Sequence, residues 1–477
     1  MSSVAEMPLS RGFDDYFGTL NGALAYFSYE IGNQCNSRNI LSPDLFPQLW
    51  GSDCYSINGM DINDNGRPAT EYKDSGLHYT QLLAEKAVEK ISSHDSNVPL
   101  FMLLAPTAPH SPLEVTGQDA HRCSQVTTYP PNPSINLRSL VCQLMVGVDD
   151  MVGAVQAALE ANSDMWNNTL LVYMSDNGGI KIFGSTNGGL RGQKGSYYEG
   201  GVRVPAFLSG GVVSRSPALR GHVIDKLVQP PDLFATMLTL AGKEKGSEGG
   251  LRLSCYVHCQ CDMLLRSLMM CTLLTFILPG VNPEVVSRSD GQTLLLEDGM
   301  FNEQYTREVA FLGAAGLVSG SAEPGVQRPT AGVVFYYGNV TWKYTDFPNA
   351  FAFYGEYEPR PELGGYLFDL DSDPFETVNL VDSAASLHKS AVTLGMAYVD
   401  EMTSRGVPSP VDNANPPRMW INLIPSKYGC WIPPDSPYVD VDCGLGDLLR
   451  PYNTTMGQFL PTMEEKVGGS SAHRRYH

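Results

Sequence analysis

The chain is poor in positive charge. Of its 477 residues only 32 are Lys or Arg, against 51 Asp or Glu, for a formal charge of -19. A surface of that sign repels nucleic-acid phosphates and anionic lipid, so general binding to either is excluded as the main role. Any anionic ligand must be held by a local positive site. Long hydrophobic runs are also lacking. The most apolar stretch, after Arg266, is about 13 residues against the roughly 20 a membrane span needs, so no span is expected. The N-terminus, MSSVAEMPLSRGFDDYFG, has no basic start followed by an apolar core, and no signal peptide is recognisable in it. Ten cysteines are too few for a small disulfide scaffold. Sequons at Asn167, Asn339 and Asn453 would accept glycans in a secretory compartment.

The length favours two domains. Leu100 to Ala105, LFMLLA, is a short apolar run ending at prolines, as a strand buried on both faces would be. Leu140, Leu144, Val148, Met151, Val155 and Leu159 recur at helical spacing and make one apolar face. Thr169 to Met174, TLLVYM, reads as another buried strand. Strand, helix and strand in that order predict an α/β fold, a mostly parallel sheet flanked by helices. Functional groups then belong just past the strand carboxyl ends. Gln229 to Gly242 reads as a proline-started helix stopped by glycine. Val333 to Tyr337 and Val340 to Tyr344 flank Gly338-Asn339, a pair suited to a tight hairpin.

That change of pattern places a boundary near residue 300. Residues 1–300 form the α/β part and 301–477 a smaller α+β domain, with the tail 468–477 disordered. Residues 251–279 hold four cysteines and fit neither part. Cys255, His258, Cys259 and Cys261 match no usual zinc spacing, so an extra insertion is the favoured reading.

Residues 175–179, SDNGG, follow the second strand. A bare Asp-Asn-Gly-Gly is most simply an Asx turn. Adjacent Asp176 and Asn177 at a strand end also offer two hard oxygen donors to one calcium or magnesium ion, the glycines leaving room. The neighbours bear on the choice. Lys194 sits among the glycines of GGLRGQKGSYYEGGVRVP (188–205), and His110 in APTAPHSPL (105–113) follows the first strand. Each alone is weak, since a loop lysine is usually solvated and a lone histidine usually packs. Together they place a cation, a proton donor and a metal pair on loops at one sheet edge, the groups that anionic ester chemistry needs.

These stretches, with RGFDDYFG (11–18), LRGQKGSYYEGGVRVP (190–205) and LFDLDSDPFETVNL (367–380), resemble the formylglycine-dependent sulfatases of the arylsulfatase type, in the alkaline phosphatase superfamily. The resemblance covers most of the chain apart from 251–279 and the last sixty or so residues. It implies calcium-dependent hydrolysis of a sulfate ester, either a small molecule or a sulfated glycan, in a lysosomal or secreted protein. Asp176 and Asn177 match metal ligands of the family, His110 the histidine at the sulfate or leaving-group oxygen, and Lys194 the lysine that grips the sulfate. By the same resemblance Cys35 and Cys54 flank a loop that animal members often close with a disulfide, and Cys430 with Cys443 would close a second.

The departures carry as much weight. Family members begin with a strand ending in two metal-binding aspartates. They then present Cys- or Ser-x-Pro-x-Arg, whose first residue becomes formylglycine, and a Gly-Lys-x-His segment. None of these occurs in this sequence, and Cys430 is followed by Trp431, Ile432 and Pro433. The expectation is therefore a polypeptide that is catalytically inert by itself, from a gene model missing its start. Two other readings stay open: a pseudoenzyme that binds sulfated glycans or a partner, and a phosphoesterase of the same superfamily, whose sites use two transition metals with several histidine ligands, against which only His110 and His222 lie in the relevant stretches.

Overall fold

The structure is a computed structural model that describes residues 7–20, 24–31, 59–126, 136–241, 271–276, 291–296, 298–315, 330–346 and 365–404. Cys35, Cys54, Cys430, Cys443, the cysteine–histidine group at 255–261 and the tail 468–477 lie outside these residues.

The first sheet contains β1 (Phe101–Leu104), β2 (Leu170–Ser175), β3 (Ala206–Ser209) and β4 (Cys271–Phe276), in the order β1-β4-β2-β3. Every ladder in it is antiparallel, which corrects the expectation of parallel pairing. The cause is β4. It comes from the segment read as an insertion, lies between β1 and β2, and runs against both: Leu104 is opposite Leu273, and Ser175 opposite Cys271. Because each opposes the same strand, β1 and β2 point the same way. Their carboxyl ends therefore meet at one edge, as the strand-helix-strand pattern required.

Leu170 and Val172 enter one apolar cluster, and Leu171 enters another on the opposite face, so β2 is buried on both sides. β1 differs from expectation, because among the described residues it stands at the edge of the sheet and Leu103 is 47% exposed.

Helices α1 (Tyr79–Ser93) and α2 (Leu137–Glu160) pack together over the sheet. The side chain of Asn136 caps α2 by accepting from Ser139 N at 3.1 Å, which satisfies a donor that has no partner in the helix. Five of the six periodic residues, Leu144 to Leu159, are buried, and Leu140 packs partly buried beside them. By length and composition alone α2 is apolar enough to cross a membrane, but this face lies in the core with α1. A disulfide between Cys123 and Cys142, Cα atoms 5.9 Å apart, ties α2 to the preceding loop. The sequence reading did not anticipate that pair.

Helix α3 (Pro230–Leu240) starts at a reciprocal cap between Gln229 and Asp232. Asp232 is fully buried and accepts a two-pronged bond from Arg307, at 2.6 and 2.7 Å, besides one from Tyr305.

The second sheet is antiparallel throughout, in the order β5 (Val309–Ala315), β6 (Thr330–Tyr337), β7 (Val340–Thr345), β8 (Tyr366–Asp369). Gly338 and Asn339, with φ of 60° and 61°, make the tight β6–β7 turn, the conformation that Gly and Asn adopt at least cost. Helix α4 (Ser386–Ser404) covers this sheet, packing Ala391 and Val399 against Phe335, Trp342 and Leu367.

Candidate functional site

Past β1 the chain turns through Pro106 and Pro109, and His110 is 7% exposed. Its Nδ1 lies 2.5 Å from the carbonyl oxygen of Ser111. A carbonyl can only accept, so the ring proton sits on Nδ1 and the lone pair on Nε2. Burial, and then the nearby Lys194 charge, lower the His110 pKa to about 4, while the bond to Ser111 opposes the shift. The backbone of His110 is held by Tyr26, a fully buried residue whose hydroxyl donates to the His110 carbonyl at 2.9 Å. Tyr26 is fixed in turn by a bond from its N–H to Glu114 at 2.6 Å and by stacking on His78.

Past β2 come Asp176, which is exposed, and Asn177. The two glycines that follow do not leave the place open, as the sequence reading had it. A Cβ built on Gly178 would overlap the Gly200 carbonyl, and one on Gly179 would overlap Ser185. Gly178 N–H donates to Gly201 at 2.9 Å. Gly178 is there for backbone-to-backbone contact with Gly200 and Gly201, and Gly179 for the close approach of the Ser185 side chain.

That loop carries Lys194. It is shaped by side chains the sequence reading passed over. Asn187 accepts from Gly179 N–H at 2.8 Å and donates to Gly192, while Gln193 accepts from Lys181 N–H at 2.9 Å. Gln193 lay inside a quoted motif, but nothing in its type or spacing marked it out. Lys194 Nζ is buried and has no hydrogen-bond partner among the described residues. Burial lowers its pKa to about 8, and the charge of Asp176 works against that shift. The structure thus brings His110, Lys194 and Asp176 within electrostatic reach of one another.

The second sheet anchors the same loop. Lys343, fully buried on β7, places its ammonium 2.6 Å from Glu199 and 2.9 Å from Glu376. Glu199 N–H donates to Glu376 at 2.6 Å, and Arg191 donates to the Glu376 carbonyl at 2.5 Å. No spacing in the sequence relates these residues, which come from distant parts of the chain.

Residues 2–243, which are 242 of the 477, match the family model described as Sulfatase. The chain belongs to the sulfatase family. Arylsulfatase J of Mus musculus is 31% identical over 237 residues, 49% of this chain and 34% of that protein. N-acetylgalactosamine-6-sulfatase of Mus musculus is 28% identical over 248 residues, 50% of this chain and 41% of that protein. The chain therefore spans well under half the length of these curated relatives. The crystal structure of Ps i-CgsB in complex with k-i-k-neocarrahexaose is similar with a TM-score of 0.51 and 21% identity. The likeness covers 84% of this chain and 68% of that one, and shows the shared α/β fold.

Sulfatases generally bind a metal ion. Calcium takes six to eight oxygen ligands. Asp176 and Asn177 supply two oxygen-bearing side chains, and among the described residues no group of three His, Cys, Asp or Glu converges. The described part of this sulfatase-family chain does not amount to a calcium site. His222 packs its ring on Phe301, 4.7 Å between centroids.

Proposed function

We propose that this sulfatase-family chain recognises a sulfate ester through Lys194 and His110, and that the 477-residue polypeptide does not hydrolyse it unaided. The observation that carries the reading is the buried Lys194 ammonium, which lacks a hydrogen-bond partner among the described residues and lies beside a buried neutral histidine. Asp176 supplies the cation with charge but no hydrogen bond, and a sulfate monoester supplies three acceptor oxygens. A bound ester offsets the Lys194 charge, the lesser cause of the low His110 pKa after burial, and so makes protonation at Nε2 easier than in the free chain. His110 then donates toward the leaving-group oxygen. The inertness follows from chemistry absent from the sequence: no Cys- or Ser-x-Pro-x-Arg stretch occurs in it, so the family's formylglycine nucleophile has no precursor. The family's calcium dependence belongs to this proposal only through Asp176 and Asn177, and no step is assigned to a metal.

The substrate class follows the same reading, either a small sulfate ester or a sulfated glycan. The Cys123–Cys142 bridge and the exposed sequon residues Asn167 and Asn339 support an oxidising, secretory or lysosomal setting. A division of the chain near residue 300 is likewise proposed, with the Lys343 contacts crossing it.

Calorimetry of the purified chain with 4-nitrophenyl sulfate, alongside Lys194→Ala and His110→Ala, is the direct test. The expected outcome is binding that Lys194→Ala abolishes, with no release of 4-nitrophenol. Absence of binding overturns the recognition, and calcium-dependent turnover overturns the inertness.

A further inference from the structure

Two of the sequons, at Asn167 and Asn339, lie among the described residues, and they differ once folded. Thr169 of the first is fully buried, and its hydroxyl donates to the Met165 carbonyl at 2.7 Å. The second stands open. Asn339 is exposed at the tip of the β6–β7 hairpin, and Thr341 is only partly buried. The tip is also fixed against α4: Gly338 comes so near Leu387 that a Cβ built on it would lie 2.9 Å from a leucine methyl.

The surface beside the tip suits a sugar. Tyr337, two residues before Asn339, lies on the face of β6 that Val333 and Phe335 turn toward α4, yet it is 38% exposed. With Lys389, Ser390, Thr393 and Ala397 of α4 it lines an open depression of about 440 Å³. The negative face of an aromatic ring attracts the C–H face of a pyranose. The hydroxyls and the ammonium around it offer partners to the sugar's own hydroxyls.

We propose that Asn339 carries an N-linked glycan whose first N-acetylglucosamine stacks on Tyr337 and lies in this depression. The donor is an oligosaccharide on a lipid pyrophosphate. Asn339 Nδ2 attacks C1 of the sugar. The C1–N bond forms as the C1–O bond breaks, the pyrophosphate leaves with the electron pair, and one amide proton is lost. The attachment rests on the secretory setting proposed above. It is independent of the sulfate reading, since it shares none of its side chains.

The test uses the full chain behind a cleavable secretion leader in a eukaryotic host, with glycopeptides mapped by mass spectrometry. A glycan on Asn339 is expected. Because the leader supplies the compartment, an unmodified Asn339 in that material overturns the site itself, whereas an unmodified Asn339 only in the native chain overturns the setting. Asn339→Asp removes the glycan and keeps the turn, since Asp also tolerates a φ of 61°. Hydrogen exchange of the β6–β7 hairpin amides is expected to be about fivefold slower with the glycan than in Asn339→Asp, about 1 kcal/mol, the size of one aromatic contact. Tyr337→Ala should erase that ratio. Tyr336→Ala, equally exposed on the opposite face of β6, should keep it. A ratio that survives Tyr337→Ala, or that Tyr336→Ala erases equally, would overturn the stacking.

Discussion

Lys343→Met keeps the apolar stem of the side chain and removes only the ammonium. The carboxylates of Glu199 and Glu376, 2.6 and 2.9 Å from Nζ, then face each other without their shared counter-charge. Glu376 is fully buried, and removing one partner of a buried ion pair costs about 3–5 kcal/mol. Burial already holds the Glu376 pKa above its ordinary 4.5, with Lys343 pulling it down, so losing Lys343 raises it further. A carboxyl whose folded pKa is raised stabilises the fold below its unfolded pKa, and that stability is lost as pH rises through the folded value. The variant should therefore be most impaired above neutral pH and recover in part toward pH 5, where Glu376 holds a proton. A chain of this size need not unfold in one step, so hydrogen exchange of the 191–202 amides is the suitable assay. The cost above corresponds to exchange about a hundredfold faster or more at pH 7.5, with a smaller ratio at pH 5. Lys343→Arg, which restores the charge, should recover much of the protection. Exchange within threefold of the wild type at pH 7.5 would show that the network does not anchor the Lys194 loop.

Three further outcomes are expected. Gly178→Ala forces a methyl into the Gly200 backbone and should cost about 1–3 kcal/mol, with sulfate-ester binding falling in parallel; thermal unfolding and calorimetry measure both. NMR titration should find His110 neutral down to about pH 4, its pKa rising when a sulfate ester binds. Because its folded pKa lies below the ordinary 6.5, the stability tied to neutral His110 is present above pH 6.5 and lost as pH falls through about 4, up to about 3 kcal/mol in all. Cys123→Ser with Cys142→Ser opens a loop with a sequence separation of 19 and should cost about 3 kcal/mol in denaturant unfolding, an effect that reducing agent reproduces in the wild type.

Local order was legible in the residues. The apolar stripe of α2, the proline start of α3, and the Gly338-Asn339 hairpin all follow from the period of burial and from which residues tolerate a given φ, ψ. Neighbours within a few residues decide those features. The positions of His110, Asp176 and Asn177 just past strand ends were also legible, whereas Lys194 lies 19 residues beyond Ser175 in a loop shaped by distant contacts. What the sequence by itself determined was thus the elements, the edge at which His110 and Asp176 emerge, and the net negative charge that makes a buried lysine conspicuous.

Only the tertiary structure decided the rest. Pairing partners depend on contacts far apart in the chain, so nothing near residues 271–276 announced that they would lie between β1 and β2 and run against both. The Cys123–Cys142 pairing, the Tyr26 bond to His110 and the Lys343–Glu199–Glu376 network have no periodicity to betray them. The glycines of SDNGG show the difference in one place. Read locally they mean freedom at a turn, but with Gly178 folded against Gly200 and Gly201, and Gly179 against Ser185, no side chain fits. Sterics between distant backbones, which no local pattern encodes, made that choice.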